Sequence, residues 1–364
     1  MKEYIDKNVA ETLSGILDVE HVRSLLLITG GASYLKSPLK LFFEHREHPF
    51  EITRYPVSAK NPNYDSLLIA LDELKSENPD LIIATGGGRV LDFAKLINIF
   101  LNNRKALNGR LLDPGKLQCS AAMVMIPTTS GSGSEVTNFV VMYRNGTKHS
   151  LVCPQLNIKY VIVDPKLTHT LPPGQTAVSG MDAICQAIES IWAKDATPAS
   201  RSYAGKAISL LYPNIEKAVH NPDEKSRRSM AIGAYYAGKA INISKTTGPH
   251  ALSYYLMENL NIPHGEAVAM NMELFIELNF PVLPGPVREQ YYELFRVNSM
   301  EEFKTAISQL KKRLGLRMGI RDAGIDSEAK IMEYLNHINQ ERMDNNPRQM
   351  DADLLCKNMI SCIN

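Results

Sequence analysis

The sequence predicts an α/β chain in two parts, a parallel-sheet domain over residues 1–175 followed by an all-helical domain over 176–364. Three observations carry this. Through the first half, short apolar runs end in glycine and give way to helical periodicity. Pro172-Pro173-Gly174 then breaks the chain. Beyond the break the apolar spacing is helical and no strand pattern alternates with it. Length agrees, because 364 residues is long for a single core.

Taken in order, "SLLLIT" ending at Gly30-Gly31 reads as a buried parallel strand. "NYDSLLIALDELKSE" has apolar residues at helical spacing and Asn63 as a cap. "PDLIIAT" is a second apolar strand stopped by Gly86-Gly87-Gly88, and "RVLDFAKLINIFLN" is the helix that follows. "AAMVMIPTT" repeats the theme of strand and small-residue loop. "FVVMYRNGTKHSLV" reads as a hairpin around Asn145-Gly146. In the second half, helices are predicted over 176–194, 200–219, 225–243 and 327–342.

Composition narrows the function classes. Apolar content of 44%, charged content of 22% and a net charge of +1 give no electrostatic case for nucleic acid or an anionic membrane. No stretch approaches the ~18 apolar residues of a membrane span, and the N-terminal residues lack a signal-peptide core. Cys119, Cys153, Cys185, Cys356 and Cys362 are scattered, with no C-x-x-C pair. Neither a disulfide framework nor a thiolate zinc site is expected, and a reducing cytoplasm fits best.

Two constellations carry chemistry. The first is the pair of loops at strand ends, Gly86-Gly87-Gly88 and "PTTSGSGSE" over 127–135. Backbone N–H groups and a helix dipole there would face an anion. A glycine after a strand is also an ordinary tight turn, but two such loops on adjacent predicted strands favour a pyrophosphate site. Gly131-Ser132-Gly133 is not a full dinucleotide fingerprint. The second is "SGMDAICQAIES", with Asp182 and Gln186 one helical turn apart, followed by His250 and by His264 in a Pro-His-Gly turn. A carboxylate and neutral imidazoles suit Zn²⁺ or Fe²⁺. Gln186 either ligates weakly through its amide oxygen or holds a bound water.

"ATGGGRVLDFAKL", "IPTTSGSGSEVTNF", "GMDAICQAIES" and "PHALSYYL…IPHGEAV", in that order, resemble the iron-containing (group III) alcohol dehydrogenases, over roughly residues 20–350 including "NPR" at 346–348. The resemblance implies an N-terminal Rossmann-like dinucleotide-binding domain, an all-α C-terminal metal-binding domain, and a cleft between them for NAD(P)H and one divalent metal. The implied ligands are Asp182, Gln186, His250 and His264. Gly87, Gly88, Asp92, Thr128, Thr129 and Ser132 fall at cofactor-contacting positions, and Lys148 at a lysine position near the cofactor. A homodimer or larger homo-oligomer is implied as well.

Departures from the family pattern sharpen the expectation. The family usually has His where this chain has Gln186, and often a second His where it has Tyr254. The Tyr254 phenol could still pass a proton through water, although with an ordinary pKa of about 10 it is a poorer neutral-pH base. NAD-preferring relatives place an Asp at the end of the first strand, where this chain has Gly30. With Gly31, Ser33 and Lys36 following, NADPH is expected over NADH. Lys245 lies five residues before His250 and Arg89 replaces a usual Ser. Arg89 is expected at cofactor phosphate. Lys245 and Tyr254 are the catalytic candidates, and the cluster is similar to the phosphonoacetaldehyde reductase branch, an anionic-aldehyde chemistry. A solvated helix end is the plainer reading of Lys245. The expected activity is therefore metal-dependent reduction of a small aldehyde to its alcohol. A lyase of the dehydroquinate synthase type and a degenerate nucleotide-binding protein are the alternatives.

Overall fold

The computed structural model describes residues 1–364 apart from 46, 59–62, 109–116, 145–146 and 364, and apart from the side chains of 108, 147, 148, 362 and 363. Its described residues form β1 (Lys2–Ile5), β2 (Ser24–Thr29), β3 (Glu51–Pro56), β4 (Leu81–Gly86), β5 (Ala122–Pro127), β6 (Phe139–Arg144), β7 (Thr147–Val152) and β8 (Ile158–Val163). They divide into two units, Met1–Leu171 and Pro172–Asn364.

In the first unit six strands pair in the order β1-β8-β5-β4-β2-β3, all parallel. Unbroken apolar runs such as Leu25–Ile28 and Leu81–Ala84 are buried on both faces, as a parallel sheet requires. One face carries Leu25, Leu27, Leu81, Ile83, Val124 and Ile126 against helices Val9–Glu20 and Pro38–Glu44. Helix Gly88–Phe100 packs on β4 and β5 with its buried Phe93, Leu96, Ile97 and Phe100. The Asn63 side chain caps helix Tyr64–Glu73 by accepting from the Ser66 N–H at 2.7 Å. β6 and β7 pair antiparallel; the expected Asn145-Gly146 turn itself lies outside the described residues.

The chain leaves β2 outward to β3 and returns to β4 on the other side, so the strand order reverses between β2 and β4. The loops after both strands flank that switch point, where open α/β sheets bind their ligands.

The second unit is helical among its described residues and is built on helix Pro173–Trp192, against which Pro198–Leu211, Glu224–Ser244 and His264–Ala269 pack. Two predicted helices are interrupted. The span 200–219 divides into Pro198–Leu211 and Ile215–His220, because Pro213 cannot donate a helical hydrogen bond. The span 327–342 divides into Glu328–Leu335 and Gln340–Asp344, because Asn339 leaves the helix, caps the next by accepting from the Arg342 N–H, and donates its own N–H to Ala251 O. Among the described residues no helix is long and apolar enough to cross a membrane. Cys119, Cys153, Cys185 and Cys356 are free thiols; the Cys362 side chain lies outside the description.

Candidate functional site

Helix Pro173–Trp192 is buried along nearly its whole length, so any polar side chain on it must be answered by another polar group. Asp182, Gln186 and Glu189 share one face at i, i+4 and i+7, and all three are buried. Two later helices bring histidines to them. Pro249 stands in the first turn of Gly248–Glu258 and Pro263 caps His264–Ala269, so each histidine sits at a helix start. Gly265 permits the approach: a Cβ there would lie 2.1 Å from the Val178 carbonyl oxygen and 2.8 Å from Asp182 Cβ.

Asp182 Oδ1 lies 3.5 Å from His250 Nε2 and 3.8 Å from His264 Nε2. Ligand atoms of the three residues all fall within 4.8 Å of one another. Tetrahedral ligands roughly 2.1 Å from a Zn²⁺-like ion stand ~3.4 Å apart, whereas a direct N–H···O bond closes to about 2.9 Å. The spacing therefore fits a shared divalent cation, and one carboxylate with two imidazoles is a donor set such an ion accepts. The side chains of Asp182 and His250 are 7% and 6% exposed, and that of His264 30%, so His264 is the member that reaches solvent. Gln186 is buried one turn from Asp182, on the same face.

The sequence reading missed Glu189. Its carboxylate accepts from the Thr247 N–H at 2.8 Å and the Thr247 hydroxyl at 2.9 Å, and it meets Nδ1 of His250. That leaves Nε2 of His250 facing Asp182, the arrangement by which a carboxylate fixes the tautomer of a ligating imidazole. Trp192 Nε1 donates to the same Thr247 hydroxyl at 2.9 Å. Burial works against a charge on His250, but Glu189 and Asp182 outweigh it and push its pKa up to about 9. The signal was present in the sequence: a glutamate seven residues beyond Asp182 in an otherwise apolar stretch.

Arg342 was also missed. Its Nε donates to the Tyr254 hydroxyl oxygen at 2.8 Å and its NH1 to the Thr246 hydroxyl. Tyr254 lies one turn beyond His250. Asn345 Nδ2 holds the adjoining segment through Ser244 O at 2.8 Å and Thr246 O at 3.1 Å. Lys245 closes helix Glu224–Ser244 with a φ of 58°, and its Nζ lies 3.2 Å from Glu341 Oε1 at a solvated edge.

In the first unit Gly30 N–H donates to Thr85 O at 3.0 Å, joining the ends of β2 and β4. Gly31, exposed, opens the short helix Ala32–Leu35. A Cβ on Gly30 would meet Ser33 Oγ at 2.6 Å, so the Ser33 hydroxyl lies over that turn. Lys36 is exposed nearby. Arg54 of β3, not singled out from sequence, donates from Nε to Thr29 Oγ1 at 3.2 Å and stacks over Tyr34 at 4.3 Å.

Gly87 and Gly88 start helix Gly88–Phe100, and the second loop closes on them. A Cβ on Gly88 would meet Ser132 Oγ at 2.3 Å, and one on Gly87 would meet Thr129 Cγ2 at 3.2 Å. Thr128 N–H donates to Gly86 O at 2.9 Å. Arg89 stands exposed in the first helical turn. Asp92 ties the two loops together, accepting from the Ser134 hydroxyl and, at 3.4 Å, from buried Lys95. Lys95 also donates to Ser134 Oγ at 3.0 Å, Thr137 Oγ1 at 3.3 Å and Phe139 O at 2.9 Å. The Lys148 side chain, expected near the cofactor, lies outside the described residues.

Comparison with known proteins agrees with this geometry. Residues 2–165 match the model for the iron-containing alcohol dehydrogenases, and residues 176–359 the model for the C-terminal part of the Fe-containing alcohol dehydrogenase family. The probable alcohol dehydrogenase EutG of Escherichia coli (strain K12) is 31% identical over 284 residues, 76% of this chain and 71% of that protein. The NADPH-dependent butanol dehydrogenase of Clostridium saccharobutylicum is 27% identical over 94% of this chain and 92% of its own. The crystal structure of sulfoacetaldehyde reductase from Bifidobacterium kashiwanohense in complex with NAD+ superposes with a TM-score of 0.89, at 25% identity, over 100% of this chain and 96% of that one. The chain belongs to the iron-containing alcohol dehydrogenase family, and is a metal-dependent alcohol/aldehyde dehydrogenase acting on CH–OH groups with NAD or NADP as acceptor.

Proposed function

We propose that this dehydrogenase reduces a small anionic aldehyde, phosphonoacetaldehyde being the leading case, with NADPH as preferred donor. The observation that carries the substrate class is charge. Two cationic side chains, Lys245 and Arg342, flank the Thr246–Thr247 segment that adjoins His250. The likeness to a sulfoacetaldehyde reductase supports an anionic aldehyde. Support for NADPH comes from the end of β2, where Gly30 offers no carboxylate to repel a 2′-phosphate. Ser33, Lys36 and Arg54 offer a hydroxyl and two cations there, and one relative is NADPH-dependent by name.

In this reading Asp182, His250 and His264 hold one Fe²⁺ or Zn²⁺, and Gln186 is a neutral fourth ligand or holds a water. When bound, the cation supplies Lewis acidity at the carbonyl oxygen and the nicotinamide supplies hydride. Glu189 holds the proton on Nδ1 of His250, so that the proton lost on metal binding is the one on Nε2 and the lone pair it leaves faces Asp182. Tyr254 donates a proton from its hydroxyl, directly or through water, while its oxygen accepts from Arg342. Gly87, Gly88, Arg89, Thr128, Thr129 and Ser132 take the pyrophosphate, Asp92 braces their loops, and Lys148 is assigned to the same cofactor. A homo-oligomer in a reducing cytoplasm completes the proposal.

An NADPH- and NADH-oxidation screen tests it, using small aldehydes with phosphonate, phosphate or carboxylate groups beside neutral ones of equal length. Anionic aldehydes should give the highest kcat/KM. Neutral aldehydes exceeding every anionic one would overturn the substrate reading, and a higher kcat/KM with NADH the cofactor reading. Net reductant consumption separates this activity from a lyase that borrows its nucleotide.

A further inference from the structure

We infer that Arg342, rather than Lys245, is the residue that recognises the anionic group of the substrate; the inference rests on the anionic-aldehyde reading above. Lys245 has its counter-charge in Glu341, and both side chains are substantially solvated. Arg342 is different. It is half-buried and bonds two neutral hydroxyls, those of Tyr254 and Thr246. Among the described residues no carboxylate forms an ion pair with it, although Glu189 and Glu341 act on its charge from farther off. Those bonds use two of the five guanidinium N–H groups, and the other three are donors of the kind that phosphonate or sulfonate oxygens accept from.

Position points the same way. Tyr254 follows His250 by one helical turn, and Thr246 precedes the Thr247 that bonds Glu189. Arg342 is therefore joined by single contacts to both ends of the segment that presents His250. Asn339 and Asn345 anchor the short helix carrying it, through Ala251 O, Ser244 O and Thr246 O. The cation is thus held in place before any ligand arrives, which limits the ordering cost of binding.

Charge bookkeeping agrees. With a divalent cation at the three ligands, Asp182 and Glu189 bring the centre to neutrality, and Gln186, Tyr254, Thr246 and Thr247 add nothing. Arg342 leaves one positive charge in excess in a largely desolvated region. A substrate carrying one negative charge beyond its carbonyl neutralises it; a neutral aldehyde does not.

The test is a ratio of specificities. For wild type, Arg342→Gln, Arg342→Lys and Lys245→Gln, kcat/KM is measured for phosphonoacetaldehyde and for propanal, with metal content and melting temperature recorded for each. Arg342→Gln should lower the phosphonate-to-propanal ratio about tenfold to a hundredfold, the worth of a charge-assisted contact, and Arg342→Lys should recover part of it. Calorimetry of 2-hydroxyethylphosphonate binding to the metal-loaded enzyme with NADPH, an abortive complex that needs no turnover, should weaken in parallel. If wild type shows no anionic preference, the substrate reading fails. If it does, and the ratio survives Arg342→Gln or falls only in Lys245→Gln, the assignment to Arg342 is overturned. If Arg342→Gln does not fold, Arg342→Lys still decides: a ratio and a calorimetric affinity equal to wild type refute the forked contact.

Discussion

Replacing Glu189 by glutamine should weaken metal binding although Glu189 touches no metal. Four donors converge on its carboxylate: the Thr247 N–H, the Thr247 hydroxyl, the His250 N–H at 3.4 Å and Nδ1–H of His250. An amide of the same shape has one acceptor oxygen and one NH₂. If the NH₂ faces Thr247 it meets a backbone N–H that cannot turn round, at a cost of roughly 1–3 kcal/mol for a buried mismatch. The amide therefore settles with its oxygen toward Thr247 and its NH₂ toward His250. Nδ1 must then accept, and the imidazole proton moves to Nε2, the atom 3.5 Å from Asp182 Oδ1. The lone pair needed by a cation is lost unless the tautomer is forced back. Loss of such a carboxylate behind a histidine ligand lowers metal affinity about 10- to 100-fold, or ~1.4–2.7 kcal/mol.

Equilibrium dialysis of wild type and Glu189→Gln against Fe²⁺ or Zn²⁺ buffered by a competing chelator, with elemental analysis of the retained metal, measures this without turnover. Trp192, the chain's single tryptophan, donates to the Thr247 hydroxyl, so its emission reports whether the network is intact. A Glu189→Gln protein with unaltered far-UV circular dichroism and metal affinity within twofold of wild type would refute the tautomer argument. It would leave Glu189 only a packing role.

Further consequences can be measured. His250→Ala should cut turnover by orders of magnitude while the dissociation constant for NADPH, read by fluorescence, stays within about threefold; wild-type turnover in that variant with the metal removed would disprove the metal reading. Gly265→Ala, whose Cβ would sit 2.1 Å from Val178 O, should destabilise the second unit by about 1–3 kcal/mol or more in denaturant unfolding followed at Trp192. Glu135 is buried in the second glycine loop; burial raises its carboxyl from an ordinary 4.5 to about 7, with a backbone hydrogen bond and Lys95 opposing. Because the folded state keeps this proton, its contribution is full below pH 4.5 and is lost as pH rises through 7, a change of up to ~3 kcal/mol. Glu135→Gln should flatten the fall in stability between pH 5 and pH 8, and an unchanged slope would refute the assignment.

What the sequence disclosed and what it concealed divide along physical lines. β2, β4 and β5 were legible because strands buried on both faces leave continuous apolar runs. β1 and β3 were not, since these edge strands are largely exposed and read as "KEYI" and "EITRYP". The candidate ligands Asp182, His250 and His264 could be named from residue type and spacing, but their convergence depends on Gly265 letting two helix backbones touch. Glu189 was not singled out from sequence, because only burial shows four donors meeting its carboxylate. Arg342 was hidden more deeply, because its partners Tyr254 and Thr246 lie nearly a hundred residues away and local pattern says nothing of such contacts.

The phenol at 254, where the family often has a histidine, fits the proposed function once Arg342 is included. An imidazole at 254 could take up a proton near neutrality and add a variable charge, whereas one ligating a cation at 186 would be held neutral. A phenol does not do so readily, which on the proposed function leaves Asp182, Glu189 and the permanent guanidinium to set the electrostatics around the three ligands. A fixed excess of one positive charge over a working pH range is what discrimination between an anionic and a neutral aldehyde requires. A site whose charge titrated near neutrality would discriminate at one pH and lose that selectivity at another. On the proposed function, a phenol rather than an imidazole at 254 favours selectivity at some cost in neutral-pH basicity.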